Sequence, residues 1–139
     1  PLPAANAPPL DELVRSSSAA ALAQAGIGAS ELDIVELHDA FTIEELLYTE
    51  AVGVCETGEG AAYVARGDAA IGGRCAINPS GGLIGMGHPL GPTGIGQVAE
   101  ITRQLRGEAE GRQQPGARLA LAHMIGLGSV AVAHVLARA

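Results

Sequence analysis

Apolar residues recur at helical spacing in three stretches of the chain and run almost without interruption in four shorter stretches. The first pattern predicts helices over residues 11–25, 42–52 and 94–106, because apolar side chains return there every three or four positions. The second predicts strands over residues 32–37, 75–78, 118–123 and 129–136. The resulting order, α-β-α-β-α-β-β, indicates one α/β domain whose sheet is covered on both faces. Residues 1–9 are expected to be a loose lead-in.

The phases of the three helices predict which side chains enter the core and which residues cap the helices. Predicted N-caps are Asp11, Thr42 (in a capping box with Glu45) and Thr93. The side chains predicted to face inward are Leu10, Leu13, Val14, Ser17 and Ala21 in the first helix, Ile43, Leu46 and Leu47 in the second, and Ile95, Val98, Ala99, Thr102 and Leu105 in the third.

Composition narrows the class of partner. The chain has 139 residues, of which 47% are hydrophobic, so one domain can bury a core. The net charge is -7 and lysine is absent, so no basic face exists for nucleic acid or for an anionic membrane surface. No apolar run approaches the ~20 residues of a membrane-spanning helix. The first residue is not Met and no basic leader is present, so we expect a chain processed or cut from a longer one.

The two cysteines do not indicate a metal site or a disulfide framework. Cys55 and Cys75 stand twenty positions apart, and they are expected to be reduced thiols in a cytoplasmic protein. The four histidines show no ligand spacing, so no metal is expected. Residues 94–99 fit a loose dinucleotide fingerprint but follow a proline-rich loop instead of a strand, which argues against nucleotide binding.

Two histidines lie at junctions between elements, where α/β proteins place their ligands. His88 stands in a loop of glycines and prolines (GHPLG, residues 87–91), just before the third helix, and His38 follows a buried strand. A neutral imidazole in such a loop can act as a general base or help to stabilise an oxyanion. On the residues alone, an imidazole with only a structural role is equally compatible with each position.

A third candidate is the glycine-rich turn at residues 124–128. Backbone N–H groups in such a turn, Gly126 among them, are suited to bind an oxyanion. A plain hairpin turn would use the same glycines. His123 and His134 stand at strand positions and are expected to be satisfied structural residues.

Four ordered motifs together carry a resemblance to a known family. They are VELHDAFT at residues 35–42, NPSGG at 78–82, GHPLG at 87–91 and MIGLG at 124–128. Residues 10–139 resemble the C-terminal part of thiolase-superfamily enzymes, with sterol-carrier-type and archaeal-type thiolases as the nearest subgroups and thiolase-like aldolases as the alternative. The resemblance implies a layered α-β-α half with a mixed sheet of the five-stranded type.

The resemblance also implies an activity and its residues. The function implied is acyl-CoA acyltransfer by thiolase-type Claisen or retro-Claisen chemistry, in which His88 activates a nucleophilic cysteine, His38 holds the oxyanion hole and Gly126 donates its N–H to a second oxyanion. The implied substrate is a coenzyme A thioester, with no covalently bound cofactor. The residues implied in substrate binding are Asn78, Gly81, Gly82, Phe41 and Met124.

The implied partner is a thiolase N-terminal half that carries the nucleophilic cysteine, within a homo-oligomer. This chain also departs from the pattern, because Met124 and Ala40 occupy the two positions where the family places its acid/base cysteine. Neither side chain can shuttle a proton. Three alternatives follow: thiolysis with His38 as proton carrier, retro-aldol cleavage of a β-hydroxyacyl-CoA with a zinc-ribbon/OB-fold partner, or a non-catalytic lipid-transfer protein.

Overall fold

A computed structural model describes residues 8–126 and 130–139. Its helices are α1 (Leu10–Ala25), α2 (Thr42–Val52), α3 (Gly60–Ala65), α4 (Gly82–Met86) and α5 (Thr93–Arg106). Its strands are β1 (Ile34–Glu36), β2 (Ala76–Ile77), β3 (Leu119–Gly126) and β4 (Val130–Ala137). Short 3₁₀ turns cover Ala29–Glu31 and Glu110–Arg112. The seven predicted elements are therefore present in the predicted order.

The sheet is mixed and has the strand order β2-β1-β3-β4. Strand β1 pairs in parallel with β2 and β3, whereas β3 and β4 form an antiparallel pair. Four strands form this sheet in the described ranges, so the mixed character is confirmed and the expected five-strand count is not. Because β1, β2 and β3 are parallel, their carboxyl ends meet at one edge of the sheet.

Helices cover both faces of the sheet, which confirms the layered α-β-α arrangement. Successive side chains of a strand point to opposite faces. Val35 accordingly belongs to a core cluster with Leu22 of α1 and Tyr48 of α2, while Ile34 clusters with Ile101 of α5. Each fully buried aliphatic side chain of this kind stabilises the fold by roughly 1.5–3 kcal/mol.

The helix starts differ from the predicted caps. Pro9 is the N-cap of α1, and Asp11 lies inside its first turn. The box at α2 is shifted by one residue, because Glu44 Oε2 accepts the N–H of Phe41 at 3.0 Å. Thr93 is the first residue of α5, and its hydroxyl is used elsewhere.

The predicted inward faces of α1, α2 and α5 were partly wrong. The exposed residues among those predicted to face inward are Leu10, Ile43, Leu47, Ile95 and Ala99, and Ile95 is 75% accessible. In α5 the buried stripe consists of Gln97, Glu100, Ile101, Gln104 and Leu105. The polar members can be buried because they are satisfied: Gln97 Nε2 donates to the carbonyl oxygen of His123 at 3.1 Å, for example.

Two short helices, α3 and α4, form where the sequence indicated only loops. Strand β4 also differs from expectation, since alternate residues such as Val130 and Val132 are exposed instead of covered. The predicted lead-in up to residue 7 and residues 127–129 of the predicted glycine turn and last strand lie outside the described residues. Within the described part of the chain, no helix is long and apolar enough to cross a membrane.

Candidate active site

Two carboxyl groups at the end of β1 hold the turn that leads into α4. Glu36 and Asp39 are each only 1% exposed. Glu36 Oε1 accepts the backbone N–H of Ser80 at 3.0 Å, and Glu36 Oε2 accepts the Ser80 hydroxyl at 2.7 Å. Asp39 Oδ1 accepts the N–H of Leu83 at 2.7 Å. The start of α4 is thereby fixed relative to β1.

The residue types of the NPSGG turn follow from this close approach. Gly82 has a φ of +62°, and a Cβ at this position would overlap the carboxylate of Asp39. Asn78 is buried with a φ of 48°, and its Oδ1 accepts the N–H of Leu37 at 2.6 Å. Asn78 therefore fixes the residue just before His38. Its Nδ2 is buried without a hydrogen-bond partner among the described residues.

The structure brings His38 and His88 together. Helix α4 ends where the N–H of Gly87 donates to the carbonyl oxygen of Leu83 at 2.9 Å, and His88 follows. The two imidazole rings are 4.9 Å apart between centroids and stand at 90° to each other. His38 is buried and His88 is half-buried.

The hydrogen bonds of His88 identify its proton-bearing nitrogen. The Thr93 hydroxyl donates to the carbonyl oxygen of Pro89 at 2.8 Å, so its only hydrogen is used. It must therefore accept from His88 Nδ1, which lies 2.9 Å away. In the neutral ring this leaves a lone pair on Nε2, the form that a general base requires.

His38 is held in the same tautomer by a different contact. Its Nδ1 lies 3.1 Å from the sulfur of Met124, which can only accept a hydrogen bond. Burial, and secondarily the charge of His88, lower the pKa of His38 below 6.5. The neutral imidazole is favoured, with its Nε2 lone pair free to accept a hydrogen bond.

The other expected site residues lie at varying distance from this pair. Met124 touches His38 and lines a groove of about 450 Å³ together with Gly126, the last residue of β3. Gly81 and Gly82 belong to the NPSGG turn, which leads into α4. Phe41 is 69% exposed and lines a different groove, beside α2.

Sequence reasoning missed three contributors to the site. Glu36 and Ser80 were not singled out, and Thr93 was expected only to cap a helix. The available signal was an acid two positions before His38 within an otherwise apolar strand, because such a residue must be buried and must find donors.

The two thiols are poor candidates for the reactive group. Cys75 is fully buried, and burial raises its pKa to about 12. Cys55 is half-buried, and burial followed by the charges of Glu50 and Glu59 also raises its pKa. Thiolate formation is disfavoured at both positions. Among the residues that the structure describes, no group of three or more His, Cys, Asp or Glu side chains could hold a metal ion.

Comparisons with known proteins identify relatives of this chain. Sterol carrier protein 2 of Rattus norvegicus is 57% identical over 109 residues, which make up 78% of this chain and 20% of that protein. The benzoylsuccinyl-CoA thiolase subunit BbsB of Thauera aromatica is 41% identical over 119 residues, or 85% of this chain and 31% of the subunit. This chain therefore spans about a fifth of the length of the rat protein and about a third of that of BbsB.

A solved structure shows the same fold. The Ltp2-ChsH2(DUF35) aldolase superposes with a TM-score of 0.78 and 27% identity, over 90% of this chain and 31% of that one. The family described as thiolase C-terminal domain-like matches residues 5–138, which include both histidine loops and the turn between them. The chain belongs to the thiolase C-terminal domain-like family.

Proposed function

We propose that this chain is the C-terminal part of an acyl-CoA acyltransferase of the thiolase type, which makes or breaks a carbon–carbon bond next to a CoA thioester. The observation that carries the proposal is the perpendicular contact of the His38 and His88 rings at 4.9 Å. Both rings are held through Nδ1, which leaves a lone pair on each Nε2 atom.

The roles proposed for the two rings follow from their tautomers. His88 Nε2 accepts the proton of a cysteine thiol and so generates the thiolate that attacks the thioester. His38 Nε2 accepts a hydrogen bond from a water molecule, whose second hydrogen then points at the substrate oxygen. The N–H of Gly126 is proposed as the donor to a second oxyanion. His38 is also the proposed proton carrier, because Met124 and Ala40 have no ionisable group.

The proposed nucleophile lies in an N-terminal thiolase half, within a homo-oligomer, and residues 10–139 form the complementary domain. The exposed apolar side chains beside the site, Met86, Leu90 and Ile95, support a protein partner at this face. Asn78, Gly81, Gly82, Phe41 and Met124 are proposed to bind the acyl-CoA substrate. Coenzyme A enters as a substrate, and BbsB, named as a CoA thiolase subunit, supports this class of thioester.

A second candidate is retro-aldol cleavage of a β-hydroxyacyl-CoA. The likeness to the Ltp2-ChsH2(DUF35) aldolase favours it, as does the absence of a thiol at positions 40 and 124. Such a reaction needs a base and a polarised carbonyl but no acyl-accepting cysteine. A zinc-ribbon/OB-fold protein is the partner proposed for this case.

The test uses the protein that contains this chain together with its upstream thiolase half. Acetoacetyl-CoA and free CoA are supplied, and acetyl-CoA is measured. His88→Ala is expected to lower kcat about 10²–10⁴-fold, the usual contribution of a general base. Arg15→Ala is the control, because Arg15 is exposed on α1 and pairs there with Glu12. Full activity of the His88 variant would refute the assignment.

Product analysis separates the alternatives. Thiolysis consumes one CoA for each bond cleaved, whereas a β-hydroxyacyl-CoA cleaved by retro-aldol chemistry releases a ketone or aldehyde without consuming CoA. Acyl-CoA binding with neither product would indicate a lipid-transfer protein and would exclude both catalytic proposals.

A further inference from the structure

Glu36 is a buried acid that the proposed chemistry does not use. It lines a cavity of about 150 Å³ together with Gly87, Pro89 and Thr93 of the loop that carries His88. Its side chain shares a face of β1 with Ile34, which packs against α5. The carboxyl group therefore lies between the sheet and the helix that follows the His88 loop.

The surroundings of Glu36 offer hydrogen bonds but little positive charge. The charged groups that face it are Glu100 of α5, Asp39 beyond β1 and Arg112, whose guanidinium is already paired with Glu100 at 3.0 Å. Burial, followed by the charges of Glu100 and Asp39, raises the pKa of Glu36 to about 7, although both hydrogen bonds from Ser80 oppose the rise. A buried carboxyl without a cation costs stability. Its presence is better explained by a role in the site.

Hydrogen bonds connect Glu36 with His88. The Ser80 hydroxyl donates to Glu36 and accepts the N–H of Gly82 at 3.1 Å. Gly82 begins α4, and α4 ends with the bond from Gly87 N–H to the Leu83 carbonyl, directly before His88. The carboxyl of Glu36 thus anchors the first residue of the short helix whose other end positions the ring.

We propose that Glu36 is a positioning residue of the histidine site, which holds His88 against His38 through Ser80 and α4 and holds it differently in its two protonation states. As a carboxylate it accepts both Ser80 hydrogens in charge-assisted bonds. With the proton on Oε2, that oxygen donates to Ser80 Oγ, so the Ser80 hydroxyl hydrogen turns away. Ser80 Oγ then accepts from both Glu36 and Gly82, which weakens its bond with the Gly82 N–H. The catalytic value of this device rests on the proposed function, whereas the geometry does not.

The first test follows the protein by NMR between pH 5 and 9. The amide signals of Ser80, Gly82 and Gly85, the last in the middle of α4, are expected to share an inflection near pH 7. Glu36→Gln is expected to remove that inflection from all three, because the side chain keeps its shape and no longer titrates. Glu108→Gln, at an exposed carboxyl, is the control and is expected to retain it. An inflection that persists in Glu36→Gln overturns the proposal.

A second variant separates positioning from general stability. Ser80→Ala keeps the carboxyl but removes the hydroxyl link, so the Glu36 side-chain signal still titrates while the inflection at the Gly85 amide is lost. An unchanged response of the Gly85 amide in Ser80→Ala also overturns the proposal. Should Glu36→Gln fail to fold, Glu36→Asp replaces it. The shorter carboxyl is expected to reduce the inflection at the Gly85 amide at least twofold, and an unreduced inflection contradicts the proposal.

These measurements need no turnover, so they can succeed when the proposed function fails. Where the complete protein is active, Glu36→Gln is expected to change the pH profile of kcat, while a merely structural residue would change only the temperature of unfolding. An unchanged pH profile in an active Glu36→Gln protein would refute the role in the site and leave the assignment of His88 intact.

Discussion

His123 is expected to make the fold sensitive to acid. The residue is fully buried in β3, and its Nε2 lies 2.9 Å from the Ser17 hydroxyl of α1. That hydroxyl donates its hydrogen to the Leu13 carbonyl at 2.7 Å, so Nε2 carries the ring proton and donates it. Nδ1 is buried and has no partner among residues 8–126 and 130–139. Protonation would place an unpaired N–H and a full charge in the core.

The size of the effect follows from the pKa. Burial, with a smaller contribution from the charge of His38, lowers the pKa of His123 from 6.5 to about 4. Each pKa unit corresponds to about 1.4 kcal/mol, so the difference is worth about 3 kcal/mol. The unfolded chain takes up a proton below pH 6.5 and the folded chain does not. The contribution is therefore complete above pH 6.5 and is lost as the pH falls to about 4.

Urea unfolding between pH 3.5 and 7.5 measures this contribution. His123→Gln keeps an N–H near the position of Nε2 but does not titrate, so the free-energy difference between wild type and variant is expected to shrink by about 3 kcal/mol from pH 7 to pH 4. The difference between wild type and variant is used because Glu36 is present in both proteins. Its raised pKa changes the free energy of unfolding in the opposite sense between pH 4.5 and about 7, and this change cancels in the difference. His134→Gln serves as the exposed control. A difference that does not vary with pH would refute the reasoning.

Two further predictions concern the NPSGG turn and the thiols. Gly82→Ala should lower the free energy of unfolding by about 1–3 kcal/mol, because the new Cβ meets the Asp39 carboxylate at a positive φ. Gly85→Ala has open space and should be neutral or mildly stabilising in thermal unfolding. Equal losses in the two variants would contradict the close approach of Gly82 to Asp39. A maleimide should label Cys55 in the folded protein and Cys75 only after unfolding, as mass spectrometry can show, and equal labelling rates would contradict the buried position of Cys75.

The histidine pair could be predicted from sequence because its two parts follow strong local signals. His38 ends an apolar strand and His88 precedes a clear helix, and parallel strands bring such ends to one edge. The four motifs then identified the family. The contact between Met124 and His38 could not be predicted, since it depends on the register of β1 against β3, which pairs Glu36 with Ala122.

The wrong burial predictions for α5 share a physical cause, which is that burial depends on groups far away in the sequence. Gln97, Glu100 and Gln104 look like a solvent-facing stripe of α5, yet they are buried, because remote carbonyl, guanidinium and amide groups satisfy them. Periodicity cannot reveal partners that lie elsewhere in the chain. Ile95 shows the converse error: an apolar residue in the expected phase is exposed, because no described part of the chain covers it.

Strand β4 has a consequence for handling the protein. It is eight residues long and lies at the outer edge of the sheet, where its backbone N–H and C=O groups on one side meet no neighbouring strand of the described residues. Val130 and Val132 add exposed apolar surface to that strand. Long, apolar edge strands pair with strands of other molecules, so this chain alone is expected to aggregate at high concentration. Val132→Lys would place a charge on this edge strand and is expected to reduce aggregation, which light scattering measures.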